Sequence, residues 1–376
     1  MSGNGFKHFL SIAGRLGLAL LLTLTLANDG LAQGRRKRKK KKKKAASAKK
    51  DYPKATLILE RGRLVKDVEI REIKFEKVEY RVRGSRRNEE VKGEKLVDIR
   101  YDDPPPLFAS GVSRVRAGLY KRAVQSFSDA LEEMADDDWF KIYATMWRGE
   151  AKLLAGDAAE AVTDFEAALA IDGEHFLVPN CYYGLGRAYT AQKNMGKAKE
   201  AFNKMSEKYG RSWGAKAKLG LGDCLLADGK ATEARAAYNL AGSRASNRDE
   251  RLAAKVGEGK CLVLKKQWDR AESTFEQIAN EPGVAPEVVA MAWVGMGDCR
   301  FAQAEERNND KGLLKQALIA YQTCVVRFAG VPKSYPKALF RSAELYEKLG
   351  QAKLAEYQRK ELKSRCPNST WTAKLN

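Results

Sequence analysis

Six cysteines, two histidines and a recurring Gly-x-Gly are the residues of this 376-residue sequence whose types and spacing could do chemistry. The cysteines are Cys181, Cys224, Cys261, Cys299, Cys324 and Cys366. They could pair as disulfides, but Cys224, Cys261 and Cys299 follow one another at separations of 37 and 38. Equivalent positions in stacked helical units lie about 8–10 Å or more apart, beyond the ~7 Å between Cα atoms that a disulfide bridges. These three, and Cys324, are therefore expected as small buried residues, with Cys181 and Cys366 less constrained and partly exposed. Of the histidines, His8 falls in an N-terminal segment expected to be removed, and His175 follows an acidic turn, so it reads as a loop residue. One histidine cannot build a His-rich metal site and leaves little room for a Ser-His-Asp triad. The Gly-x-Gly pairs are Gly184/Gly186, Gly220/Gly222, Gly257/Gly259 and Gly295/Gly297. A dinucleotide loop needs a preceding strand and a third glycine. These pairs fall instead within helical periodicity, which points to close packing. Gly222 with Gly229-Lys230 approximates a phosphate loop, but the gap is six residues rather than four, and Ala231 stands where Ser or Thr is needed. With no nucleophile–base pair or ligand set, the reading is a non-enzymatic protein with no metal and no cofactor.

Charge is the other candidate chemistry. The net +21 is concentrated in one run: Arg35, Arg36, Lys37, Arg38, Lys39, Lys40, Lys41, Lys42, Lys43 and Lys44, then Lys49 and Lys50, with no acid between. Residues 51–376 carry only +8. Such a block repels itself, stays disordered and attracts polyanions: nucleic acid, anionic lipid or acidic polysaccharide. No aromatic residue interleaves it, so base stacking is not available there. A solubilising linker is the plainer alternative.

Residues 1–32 read as a signal peptide. Lys7 and Arg15 precede a twelve-residue apolar stretch, Leu16 to Ala27, short of the ~18 residues of a membrane span. Gly30-Leu31-Ala32 puts small residues where cleavage before Gln33 would need them. Export to the periplasm or cell envelope is expected, against which the basic run directly after the apolar stretch is a counter-indication. Residues 33–50 then form the basic tail.

The elements that must position everything else begin at Asp51. Over 51–103 short alternating runs predict five strands: 54–60, 63–73 with a bulge, 77–83, 88–92 and 95–101. Five short strands in so few residues cannot bury two faces as an open sheet, so closure into a small barrel is expected. The order resembles that of SH3-like or Sm-like small barrels. With 14 basic against 13 acidic residues over 51–106, docking or spacing is favoured over nucleic-acid binding. Pro104 to Pro106 form a linker.

From Leu107 the chain repeats. With a glycine as anchor, small residues or an aromatic recur 12, 16 and 19 positions on: Gly111 with Ala123, Phe127 and Ala130, then Gly149 with Ala161, Phe165 and Ala168. Gly186, Gly222 and Gly259 continue the series with Phe202, Tyr238 and Phe275 as the aromatic. Gly297 starts a sixth unit, with eight inserted residues before Ala317, Tyr321 and Cys324. A seventh starts near Ala343, its second helix out of register. Each unit reads as two helices meeting where Gly faces Ala, stacked because neither helix buries its face alone. The pattern resembles the tetratricopeptide repeat over about 107–370, best in the third unit with Tyr182, Leu185, Gly186, Tyr189, Ala198 and Phe202. Trp293 holds the bulky position in the sixth. The resemblance implies a mainly α solenoid over 107–376 and, from unit boundaries such as Tyr209 to Trp213, kinship with bacterial envelope repeat proteins of outer-membrane assembly and Tol-Pal coordination.

The resemblance further implies that the first helices line a concave groove. The residue after each anchor would face it: Val112, Glu150, Arg187, Asp223, Lys260, Asp298 and Glu344. Three residues before each anchor stand Phe108, Met146, Tyr183, Leu219, Val256, Val294 and Phe340. A peptide or partner helix could dock there, with Tyr183, Arg187, Asp223, Lys260 and Asp298 as partner-binding candidates. Alternatively the apolar row is core and the charges pair among themselves. Some family members grip a C-terminal carboxylate with Lys and Asn at these positions; here apolar residues replace that lysine.

Overall fold

The computed structural model describes residues 53–135, 138–331, 333–367 and 369–375. The signal peptide and basic tail expected over 1–50 lie outside these residues. The chain divides into two compact units. The first holds five strands: β1 (Lys54–Leu59), β2 (Leu64–Ile73), β3 (Val78–Val82), β4 (Glu89–Val91) and β5 (Leu96–Tyr101). They pair antiparallel in the order β4-β3-β2-β1-β5. Alternation buries Ala55, Leu57, Leu59, Val68, Ile70, Ile73, Val78, Tyr80 and Ile99 on one side. The period of β2 slips twice, after Val65, where Asp67 adopts φ 53°, and between Ile70 and Glu72. The sheet is not the closed barrel that the sequence suggests. β4 is three residues long and pairs only with β3, so β4 and β5 remain edges. Glu89 and Glu90 put charge on the β4 edge, a feature that discourages pairing with further strands.

The second unit is helical. Its elements are α1 (Pro106–Arg116), α2 (Tyr120–Glu133), α3 (Lys141–Ala155), α4 (Ala158–Ile171), α5 (Val178–Ala191) and α6 (Met195–Ala227). There follow α7 (Ala231–Arg244), α8 (Arg248–Leu264), α9 (Trp268–Ala279), α10 (Pro286–Glu306), α11 (Lys311–Arg327), α12 (Tyr335–Lys348) and α13 (Ala352–Arg365). α6 joins the second helix of the third unit to the first helix of the fourth, with a break at Tyr209 (φ −124°, ψ 22°). Seven helical pairs result. Proline opens α1, α10 and, at the second position, α5 and α12, where its missing N–H costs no hydrogen bond. The side chains of Asn194, Asn247 and Asp310 cap other helix starts by accepting from Lys197, Glu250 and Leu313 N–H.

The turn inside each pair follows one rule. The seventh residue after the anchor is left-handed: Gly118, Gly156, Gly229 and Gly350, but Lys193 (φ 60°) and Lys266 (φ 57°) in the third and fifth units. The next N–H reaches back to the carbonyl five residues earlier, as from Asn194 to Tyr189 and from Gln267 to Leu262, both at 2.9 Å. This is the helix-ending geometry that glycine adopts most easily. In the sixth unit the inserted residues lengthen both helices, and a left-handed pair, Asn308 and Asn309, makes the turn.

The seventh unit is in register after all. Ala355 and Leu362 stand 12 and 19 residues past Ala343 and are fully buried. What it lacks is the aromatic, whose position is taken by Arg359, while Tyr357 is exposed.

Candidate functional site

Each Gly-x-Gly is half of two slots. The ring of Phe202 lies so close to Gly186 of its own unit and Gly220 of the next that a Cβ there would fall 2.5 Å and 2.3 Å from ring carbons. Tyr238 lies likewise between Gly222 and Gly257, and Phe275 between Gly259 and Gly295, at 2.3–2.6 Å. Phe165 sits between Gly149, at 3.2 Å, and Gly184, at 2.4 Å. The glycines therefore serve packing between three helices. They leave no room for a nucleotide.

Two of the repeat aromatics, Tyr238 in the fourth unit and Tyr321 in the sixth, are tyrosines, and both have an aspartate after their anchor. Tyr238 donates to Asp223 Oδ1 at 2.6 Å, and Tyr321 to Asp298 Oδ1 at 2.7 Å. A buried hydroxyl must find an acceptor, so part of the charge row answers to the core. The remaining charges pair as well. Arg187 Nη1 donates to both oxygens of Glu150, at 2.7 and 2.9 Å, and Lys260 Nζ lies 3.9 Å from Asp223. Asp298 also accepts from Lys337, and Glu344 from Arg341. Of the apolar row, Phe108, Met146, Leu219, Val256 and Val294 are buried core, whereas Tyr183 and Phe340 are half-buried.

Three of the five partner-binding candidates come together. Tyr183, Arg187 and Asp223 line a pocket of about 420 Å³ whose other walls include Leu153, Leu154, Lys333 and the C-terminal segment Ser369 to Trp371. Lys260 adjoins it through Asp223, while Asp298 is occupied with Tyr321 and Lys337. Burial raises the Tyr183 hydroxyl to about 12, so its neutral form persists over the physiological range. The Tyr183 ring meets Phe202 edge-on at 6.0 Å and carries two cations: Arg187 at 5.7 Å and Lys216 Nζ at 4.5 Å from its centroid. Lys216 is itself buried and lies 4.4 Å from the Trp213 ring as well. Burial, then the charges of Lys333 and Arg187, push the Lys216 ammonium down to about 7.

Residues 142–209 match the family model of the tetratricopeptide repeat. The seven helical pairs form a tetratricopeptide-repeat-like solenoid, of which the family model covers the second and third. The array is similar to a tetratricopeptide repeat protein from Parabacteroides merdae (14% identity, 72% of this chain and 95% of that one, TM-score 0.48). It is also similar to PilW, a type IV pilus biogenesis factor (17%, 62% and 97%, TM-score 0.40), and to Rap protein complexed with Competence and Sporulation Factor (13%, 72% and 77%, TM-score 0.44). Among curated proteins no match is found. Among the described residues no helix is long and apolar enough to cross a membrane, and no three His, Cys, Asp or Glu converge as a metal site.

Seen as tetratricopeptide repeats, the cysteines take their places. All six are free, and Cys224, Cys261 and Cys299 are buried two residues after their anchors, where Ala151 and Ala188 stand in other repeats. Cys181, expected to be partly exposed, is fully buried, because it faces inward near the start of α5; only Cys366 is half-buried. His175 lies between α4 and α5 as expected, yet is buried, its Nδ1 accepting from Leu177 N–H at 3.1 Å. Burial lowers its pKa to about 4, which keeps the imidazole neutral. Sequence reasoning missed Lys216, Lys333 and Trp371. Lys216 lies six residues before its anchor, one helical turn before the Tyr183-equivalent position, and was therefore legible. Lys333 and the C-terminal segment reach the pocket from more than a hundred residues along the chain, for which no local signal exists.

Proposed function

We propose that the protein is an exported, non-enzymatic adaptor that binds a protein partner in the pocket of its repeat array, through Tyr183, Arg187 and Asp223 with Lys260 at its margin. The observation that carries this reading is the pocket itself, which combines an amphipathic ring, an ordered guanidinium and apolar walls in one concavity, the usual makings of a binding anchor. Asp298 is the least favoured of the candidates, since both its neighbours hold it in place. The experiment is capture of native partners by the tagged protein and by Arg187→Gln and Lys260→Gln variants, each with a melting curve. Loss of an anchor should weaken capture by about 1–3 kcal/mol. Unchanged capture by a folded double variant would move the site elsewhere. Export is tested on the mature N-terminus, expected at Gln33; a retained Met1 would count against it.

A second activity rests on the basic run. Twelve cations without an acid over residues 35–50 suit an anionic surface or polymer. Deleting residues 33–50 should remove retention on heparin, retention that weakens steeply with salt, and leave the thermal midpoint unchanged. Retention that survives the deletion would refute it.

A further inference from the structure

Two members of the apolar row are half-buried, Tyr183 and Phe340. Tyr183 lines the pocket, whereas Phe340 is covered by the segment that follows α13. The Trp371 ring lies 5.3 Å from the Phe340 ring at 47°. The ammonium groups of Lys374 and Lys337 stand 4.0 and 5.8 Å from the Trp371 centroid, and Lys337 is itself held by Asp298. Leu375 joins Tyr335, Leu339 and Leu362 in the same apolar cluster. At the seventh unit, then, the chain lays one of its own aromatics on the residue three before the anchor. The same segment reaches the pocket. Ser369, Thr370 and Trp371 share its lining with Tyr120, Leu153 and Leu154 of the first two units, more than two hundred residues earlier.

The segment keeps its hydrogen bonds to itself and to the end of α13. Thr372 Oγ1 donates to the Cys366 carbonyl at 2.5 Å, and Thr372 N–H reaches Ser369 Oγ at 3.1 Å. The N–H groups of Ser369, Ala373, Lys374 and Leu375 return to the carbonyls of Cys366, Ser369, Trp371 and Thr372. Among the described residues, no hydrogen bond or ion pair ties residues 369–375 to the units that share the pocket lining with them. A turn bonded in this way can come off α12 without orphaning a donor or acceptor. What it gives up is the aromatic and aliphatic contact.

On the adaptor reading above, we propose that Ser369–Leu375 is a strap that occupies the groove in place of a partner. It seats Trp371 on Phe340, closes the pocket beside the seventh unit, and gives way to a partner segment that presents an aromatic side chain of its own. The seat suits a ring: the face of Phe340 receives it, and the Lys337 ammonium meets its electron-rich face. An acid finds less there, because the charge of Lys337 is already met by Asp298. Being tethered, the strap competes at an effective concentration on the order of millimolar. The apparent affinity for a free segment falls by the fraction of chains whose strap is away.

The test is fluorescence polarisation of a labelled peptide of residues 367–376, Pro-Asn-Ser-Thr-Trp-Thr-Ala-Lys-Leu-Asn, added to the full chain. Trp371→Ala empties the seat and should bind the peptide about tenfold or more tighter than the wild type, the shift expected if the strap is closed in at least about nine chains of ten. Adding Phe340→Ala to Trp371→Ala, shown folded by melting, should abolish that binding, as should alanine in place of the peptide's tryptophan. Thr372→Val loosens the strap on the Cys366 carbonyl and leaves the seat intact. It should tighten peptide binding about threefold, the value of one hydrogen bond, and it keeps the proposal testable if Trp371→Ala fails to fold. Equal binding by wild type and Trp371→Ala, binding by neither, or binding that survives the loss of either ring would overturn the strap. A wild type that is dimeric by light scattering and monomeric as Trp371→Ala would overturn the seat within one chain and place Trp371 in a second copy. No native partner enters the titration, so its failure leaves the adaptor reading to partner capture by the Arg187→Gln and Lys260→Gln variants.

Discussion

The middle of the array and its two ends solve the same packing problem differently. In the inner repeats each ring lies between two glycines, one from each flanking first helix. At the first boundary the second glycine is replaced by Trp147, whose indole lies 6.5 Å from the Phe127 ring and 26° from parallel. At the last it is replaced by Arg341, which turns its guanidinium over Phe301 at 5.2 Å. The inner positions are specified by absence of a side chain and the ends by presence of a large one. An interior boundary has a neighbour on both sides and no tolerance; a terminal one can shift to admit bulk.

The largest test of that contrast is Gly220→Ala, which places a methyl 2.3 Å from the Phe202 ring. It should destabilise the protein by about 3 kcal/mol, whereas Arg341→Ala at the end should cost about 1 kcal/mol; equal effects by denaturant melts would erase the distinction.

The fold and the slot positions were legible because helix stacking writes itself at fixed spacing: the anchor, Ala and aromatic recur every 36 to 38 residues in the first five units. Gly118, Gly156, Gly229 and Gly350 at the seventh position were equally legible and went unread. The open sheet was not legible, since alternation in β4 and β5 says which face is buried and not whether two edges meet. The pocket was legible in half. Tyr183 and Arg187 are one helical turn apart on α5 and had to be neighbours. Whether the charge row served a ligand or itself depended on Tyr238 and Tyr321, whose hydroxyls claim Asp223 and Asp298 from positions fifteen or more residues away.

Those two tyrosines sharpen the comparison further. Tyr321→Phe should cost about 1–2 kcal/mol and Tyr238→Phe less. The reason is that the Asp298 side chain is 26% exposed and Asp223 60% exposed, so water replaces the lost partner more readily at Asp223. A reversed order in chemical denaturation would break the argument.

The thiols separate middle from end by rate. Cys366, half-buried, should label first, while Cys181, Cys224, Cys261, Cys299 and Cys324 wait for unfolding, burial having raised Cys181, Cys299 and Cys324 to about 12. Cys224→Ala should cost about 1 kcal/mol. Rapid native labelling of an inner thiol by mass spectrometry would show that the interior boundaries open.

The smallest effect is a gain. Lys193→Gly and Lys266→Gly relieve a left-handed lysine and should each stabilise by about 0.5–1 kcal/mol, read as a rise in the melting midpoint; a fall would mean that the lysine stems contribute more than their backbone strain.

The shared ring also decides where this chain can be cut. Because Phe165, Phe202, Tyr238 and Phe275 each belong to the pair behind and the pair ahead, the sequence repeat is not the unit of dissection. A fragment ended at a repeat boundary presents a bare aromatic at its new face and invites association with its own kind. A well-behaved fragment carries one more helix than its repeats require, which makes the natural module of this array two helices and a lid.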